Sequence, residues 1–250
     1  LFPIKRWHGF RLLAVDGSTV QLPKEQEIKQ HFGCWHPAKS TDPCPMARVS
    51  QMFDVLNHIT IDTIISPKKD GERWLAAKHF EYLNEHDLVL SDRGYPAFWY
   101  FRLIVFKGAN YCARLPIERW SVIVKDFLAS NLKETIIDLK PSYLAIKACE
   151  KLGLPTTPLK VRLLRIELDD GGIEVLATSL MDYNLYPYEL FKELYFQRWP
   201  VEEDYKLLKS RIEIANFTGK SVLAVQQDFY ARVFMATLPP CWHFRSMKRS

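Results

Sequence analysis

Four side chains near the end of the sequence have the types and spacing to act together. Tyr195, Arg198, Glu202 and Lys209 follow one another in "YFQRWPVEEDYKLLK". At about 100° per residue they fall at roughly 0°, 300°, 340° and 320° around a helix, inside an arc of about 60°. A carboxylate flanked by a phenol and two cations on one stripe is either a solvated face or one side of an active site. An i,i+4 ion pair between Arg198 and Glu202 serves the first reading but accounts for neither Lys209 nor Tyr195. Pro200 removes a helix hydrogen bond and disfavours helical geometry at Trp199, so the helix kinks there or a new one begins.

Two further acids stand at informative places. Asp16-Gly17, between apolar runs, reads first as a hairpin turn and second as a metal ligand. Asp92 closes the apolar run "DLVLS" before Arg-Gly-Tyr-Pro, where α/β sheets place ligands; the competing reading is a helix N-cap or a turn aspartate.

The elements that must position these residues follow from periodicity and punctuation. "FRLLAVDGSTVQLP" reads as a strand or hairpin, and residues 24–45 as a polar loop. "ARVSQMFDVLNHITIDTIISP" holds two strands joined near Asn57-His58, and "GERWLAAKHFEYLNEH" has helical spacing. "AFWYFRLIVFKG" predicts a buried helix capped by Gly108, and "NYCARLP" a strand. Next come "RWSVIVKDF", "KETIIDL", "KVRLLRIEL" and "IEVLATSL", read as strands, with a hairpin at Asp169–Gly172 and a short helix at "SYLAIKACEKLG". The remainder is helical until Pro239-Pro240, where the helix is expected to stop. The expected divisions are 1–116, 117–183 (β-rich), 184–238 (helical) and an irregular tail at 239–250.

Composition sets the bounds. The chain has 250 residues, enough for one large domain or one domain with an insertion. A net charge of +5 permits a polyanionic partner without demanding one. Five scattered cysteines with no CxxC pair suggest a reduced, cytoplasmic protein. No apolar run approaches the roughly 20 residues of a membrane span, and no signal-peptide pattern opens the chain. A start at Leu1 suggests a piece of a longer protein.

The pattern Y-x2-R-x3-E-x6-K resembles the signature of the IS4-type DDE transposases, and Tyr195, Arg198, Glu202 and Lys209 fit it without a gap. "AVDGSTVQLP" and "LVLSDRGYPAFW" resemble the blocks around that family's first and second catalytic Asp, and "HFG", "ARLP" and "YPYELFKELYFQRW" resemble family text in the right order. The likeness runs from about residue 10 to 235. It implies an α/β fold: a ribonuclease-H-like mixed sheet flanked by helices, with a β-rich insertion before the helix carrying the glutamate.

The resemblance further implies that Asp16, Asp92 and Glu202 are catalytic metal ligands. Three hard oxygen donors suit Mg2+ or Mn2+, and two such ions about 3.5–4 Å apart activate an attacking oxygen and stabilise the leaving one. Tyr195, Arg198, Lys209 and, by position, Arg114 become phosphate contacts; Arg93 is a weaker candidate, and Trp199 is expected in the core. The implied activity is DNA cleavage at transposon ends and strand transfer into target DNA, with a hairpin intermediate one expected route. The implied partners are DNA and a second copy of the chain, in a bacterial cytoplasm and on the nucleoid when DNA is bound. A catalytically silent DNA-binding relic and a stand-alone nuclease are the competing readings. "GKS" at 219–221 lacks the upstream Gly of a phosphate-binding loop, and His31, Cys34, His36 and Cys44 match no common zinc spacing. Asn216-Phe217-Thr218 is a glycosylation sequon only in a secreted protein.

Overall fold

The computed structural model describes residues 4–35, 43–117, 119–199, 201, 217 and 219–246. The described strands are β1 (Arg11–Gln21), β2 (Cys34–Trp35), β3 (Cys44–Asp54), β4 (Ile59–Pro67), β5 (Asp87–Ser91), β6 (Asn110–Arg114), β7 (Glu134–Leu139), β8 (Leu159–Glu167) and β9 (Ile173–Thr178). The described helices are α1 (Gln26–Phe32), α2 (Glu72–His79), α3 (Phe98–Phe106), α4 (Ser121–Ala129), α5 (Tyr143–Lys151), α6 (Leu190–Phe196) and α7 (Val222–Ser246). Together they make the expected α/β architecture, a nine-stranded mixed sheet with helices. The chain divides into two compact units, Leu1–Lys5, Val15–His79 and Trp199–Ser250 forming one, Arg6–Ala14 and Phe80–Arg198 the other.

In the first unit β3 and β4 form an antiparallel hairpin with an irregularity between Met52 and Phe53. β2 pairs antiparallel with β3, and β1 is β3's other neighbour. The expected loop at 24–45 instead contains α1 and β2. Its helical signal is only two turns long, and Glu25 offers no side-chain cap. Burial of Ile28 and Phe32, four residues apart, holds α1 in place. Val225, Phe229 and Val233 recur every four residues and are buried, which gives α7 an inward stripe. Ser221 Oγ accepts from Ala224 N at 3.2 Å, and Glu27 Oε1 accepts from Val222 N at 3.1 Å. "GKS" is therefore the N-cap of α7. The helix does not stop at Pro239-Pro240 but continues to Ser246, despite the backbone donors both prolines lack.

In the second unit β5 and β6 are parallel, with Leu88 beside Asn110 and Ser91 beside Ala113. β9 lies antiparallel to β6, β8 to β9, and β7 to β8. The hairpin at Asp169–Gly172 joins β8 to β9, with Gly171 at φ 82°. Gly108, at φ 81°, follows α3 in the left-handed region as expected. "RWSVIVKDF", expected as a strand, is the helix α4. Its run of β-branched residues misled, because burial of Val124 and Phe127 three residues apart follows the helical period.

Two buried guanidinium pairs organise this second unit. Asp87, whose side chain is 1% exposed, receives Arg11 Nε at 2.8 Å and Arg11 Nη2 at 2.9 Å, with Asn84 N adding a third bond at 2.9 Å. Arg162 on β8 is wholly buried; its Nε donates to Glu134 Oε2 at 2.8 Å and its Nη1 to Tyr186 O at 2.8 Å and Leu180 O at 3.3 Å. Replacing Arg11 by Met would leave the Asp87 charge buried beside a single amide. Chemical denaturation is expected to show a loss of about 3–5 kcal/mol for Arg11→Met, with part of it recovered in Arg11→Met/Asp87→Asn.

Candidate active site

Asp16 lies inside β1, which runs unbroken from Arg11 to Gln21, so Asp16-Gly17 is strand rather than hairpin turn. Its side chain is half-buried. Asp92 follows β5 directly. Its carbonyl accepts from Tyr95 N at 3.0 Å, closing a turn, while α3 starts from an N-cap at Ala97. The Asp92 side chain caps no helix and is 31% exposed. Ser91 Oγ, 3.1 Å from Tyr100 Oη, anchors the strand end that carries it.

Sheet register brings two more residues to Asp92. Because Ser91 sits beside Ala113 in the parallel pair, the next residues along, Asp92 and Arg114, are neighbours. Arg114 Nη2 lies 3.2 Å from Asp92 Oδ1. Arg114 is opposite Leu176 on β9, so Glu174, two residues earlier, shares its face on the diagonal. Arg114 Nη1 ion-pairs with Glu174 Oε1. Sequence reasoning missed Glu174, since the diagonal exists only once the β6–β9 register is known.

Tyr195 comes from α6, where it is 5% exposed, and its hydroxyl donates to Asp92 Oδ1 at 3.3 Å. Burial, chiefly, pushes its pKa well above the ordinary tyrosine value; Arg198 and Arg114 pull it down, and Asp92 and Glu174 pull it up. Burial lowers the Arg114 pKa, but Tyr195, Glu174 and Asp92 more than offset that and hold it above its usual value. Arg198 lies in the turn after α6, which ends at Phe196, so the stripe is not one uninterrupted helix from Tyr195 onward. Pro200 disfavours helical geometry at the residue before it, consistent with that early end. The Arg198 guanidinium nevertheless sits 5.9 Å from the Tyr195 ring and is 5% exposed. Trp199, expected in the core, is 49% exposed. Glu202, Lys209, Pro200 and the sequon residues Asn216 and Thr218 lie outside the described residues.

Both partners of Asp92 converge on Oδ1, and Oδ2 has no partner among the described residues. A fixed, partly exposed carboxylate with one oxygen open fits a hard divalent cation. Among the described residues no three His, Cys, Asp or Glu side chains form a group that could hold a metal, and His36 of the zinc reading lies outside them. Ser50, His79 and Asp62 imitate a nucleophilic triad, with His79 Nε2 2.9 Å from Ser50 Oγ and Nδ1 2.5 Å from Asp62 Oδ2. Ser50 is only 1% exposed, out of reach of a substrate carbonyl, so this network ties β3, β4 and α2 together.

A profile described as Transposase DDE domain matches residues 7–238, and the chain belongs to that family. It is 24% identical over 219 residues to the transposase InsG for insertion sequence element IS4 of Escherichia coli (strain K12), covering 88% of this chain and 48% of that one. It is 23% identical over 123 residues to the putative transposase InsZ of the same organism, covering 49% and 40% respectively. The chain thus spans less than half the length of these two curated relatives. The cryo-EM structure of the piggyBac transposase synaptic complex with hairpin DNA has a TM-score of 0.51 at 6% identity, covering 90% of this chain and 45% of that one. That likeness shows the fold. Members of the family generally use divalent metal ions. No described helix is long and apolar enough to cross a membrane.

The Tyr195 environment carries a test. A raised folded-state pKa means its stabilising contribution is complete below the unfolded value of about 10 and is lost as pH rises beyond it. Ultraviolet difference titration of wild type and Tyr195→Phe is expected to give the same tyrosinate absorbance at about pH 10. A deficit in the variant would mean that Tyr195 ionises normally.

Proposed function

We propose that this chain is the catalytic domain of a DDE transposase, which cuts DNA at transposon ends and joins the freed strand to target DNA. The observation that carries the reading is the Asp92 carboxylate, held through one oxygen by Tyr195 and Arg114, with no partner at the other among the described residues. Asp16, Asp92 and Glu202 would hold Mg2+ or Mn2+, in a pair. When bound, such ions activate the attacking water or 3′-hydroxyl and stabilise the leaving oxygen.

The protein's own groups have distinct tasks in this reading. The neutral Tyr195 hydroxyl donates to Asp92 and orients it toward a cation, while the Arg114 guanidinium balances the carboxylate charge until the ion arrives. Arg198 and Lys209 supply positive charge for the DNA phosphate, Arg198 as a fork and Lys209 as a point charge. Tyr195 and Arg114, through their remaining exposure, are further phosphate contacts. Two copies acting on paired ends, in a bacterial cytoplasm on nucleoid DNA, complete the proposal. The E. coli relatives support that setting.

The test is nicking of supercoiled plasmid, or of a candidate transposon end, by the chain with Mn2+. Wild type is expected to cut, with chelator abolishing the activity. Asp16→Asn, Asp92→Asn and Glu202→Gln are each expected to fall to the metal-free background while retaining DNA binding. Cutting by all four proteins at equal rates, or wild-type DNA binding with no cutting, would overturn the reading.

A further inference from the structure

Arg114 is one guanidinium claimed by two carboxylates. Its Nη2 faces Asp92 and its Nη1 is held by Glu174, while its buried Nε has no hydrogen-bond partner. Glu174 is largely enclosed, at 16% side-chain exposure, and stands on a paired residue of β9 rather than on a loop. The Glu174 end of the fork is thus fixed by the sheet, and the Asp92 end faces the partly open side.

We infer that Glu174 is a positioning residue that draws Arg114 off Asp92 and so keeps the Asp92 carboxylate available to a divalent cation. The inference rests on the proposed function. A cation arriving at Asp92 meets the positive charge of Arg114 on the same carboxylate, and like charges on one ligand disfavour binding. Glu174 lowers that cost in two ways. It balances the guanidinium charge, and it gives Arg114 a second carboxylate to keep when the Asp92 contact is given up. Without Glu174, Asp92 would be Arg114's sole carboxylate partner among the described residues. The cation would then have to displace a guanidinium with nowhere else to go.

Glu174 would also attract a cation simply by its charge, and the two roles separate in a double-mutant cycle. Mn2+ uptake by the full chain is followed through the electron paramagnetic resonance signal of the free ion, without DNA or turnover. Glu174→Gln is expected to weaken Mn2+ binding roughly tenfold, within the range for residues in direct contact. Arg114→Ala is expected to bind Mn2+ at least as tightly as wild type. The double variant Glu174→Gln/Arg114→Ala is expected to match Arg114→Ala, because Glu174 acts through Arg114. Glu174→Asp, which keeps the charge, recovers most of the affinity and serves if the Gln variant misfolds.

Undiminished Mn2+ affinity in Glu174→Gln would overturn the inference alone. So would an equal weakening by Glu174→Gln with and without Arg114. No Mn2+ uptake by wild type, or uptake indifferent to Asp92→Asn, would overturn the metal reading of the proposed function and this inference with it.

Discussion

The ion pair between Arg11 and Asp87 is the constraint on which the strand carrying Asp92 depends. A carboxylate 1% exposed is tolerable only when its charge is matched, and Arg11 matches it with two nitrogens on two oxygens. β1 is thereby held on β5, its neighbour in the sheet, at the residue where each strand begins. A slip by one residue would take Arg11 off Asp87 and leave a buried charge unmatched. The pair therefore specifies register more than it adds net stability.

A second guanidinium repeats the logic further along the sheet. Arg162 reaches Glu134 across the β7–β8 diagonal, as Arg114 reaches Glu174 across the β6–β9 diagonal. Its remaining donors fix the carbonyls of Leu180 and Tyr186, and its face packs 4.3 Å from the Tyr183 ring and 5.0 Å from that of Phe191. That one side chain sets the course of the connection into α6. α6 in turn delivers Tyr195 to Asp92. The position of the phenol thus depends on a charge buried in a strand 33 residues earlier in the sequence.

Much of this was legible before folding. β3, β4, β5, α3, β6, α5 and the β8–β9 hairpin follow from alternation, helical spacing and glycine punctuation. The elements misread were those whose own signal is weak. α1 is two turns held by two buried side chains, and α4 is built from β-branched residues that local preference assigns to a strand. Asp16-Gly17 has turn composition but lies inside β1, which runs from Arg11 to Gln21. Local propensity is small against the burial that tertiary packing supplies.

The sequence by itself nominated the residues proposed to carry the chemistry, and its motifs placed the chain in its family, because acids, cations and spacing survive as text. It also determined where most strands begin and end. Tertiary structure decided what each group touches. Tyr195 turns out to be a buried donor on Asp92, Arg114 is shared between two carboxylates, and Glu174 enters the site at all only through the pairing of β6 with β9. The reason is physical. Spacing along a chain fixes direction on one element, but contact between elements depends on register, and register is set by the cross-strand packing and ion pairs of the folded sheet.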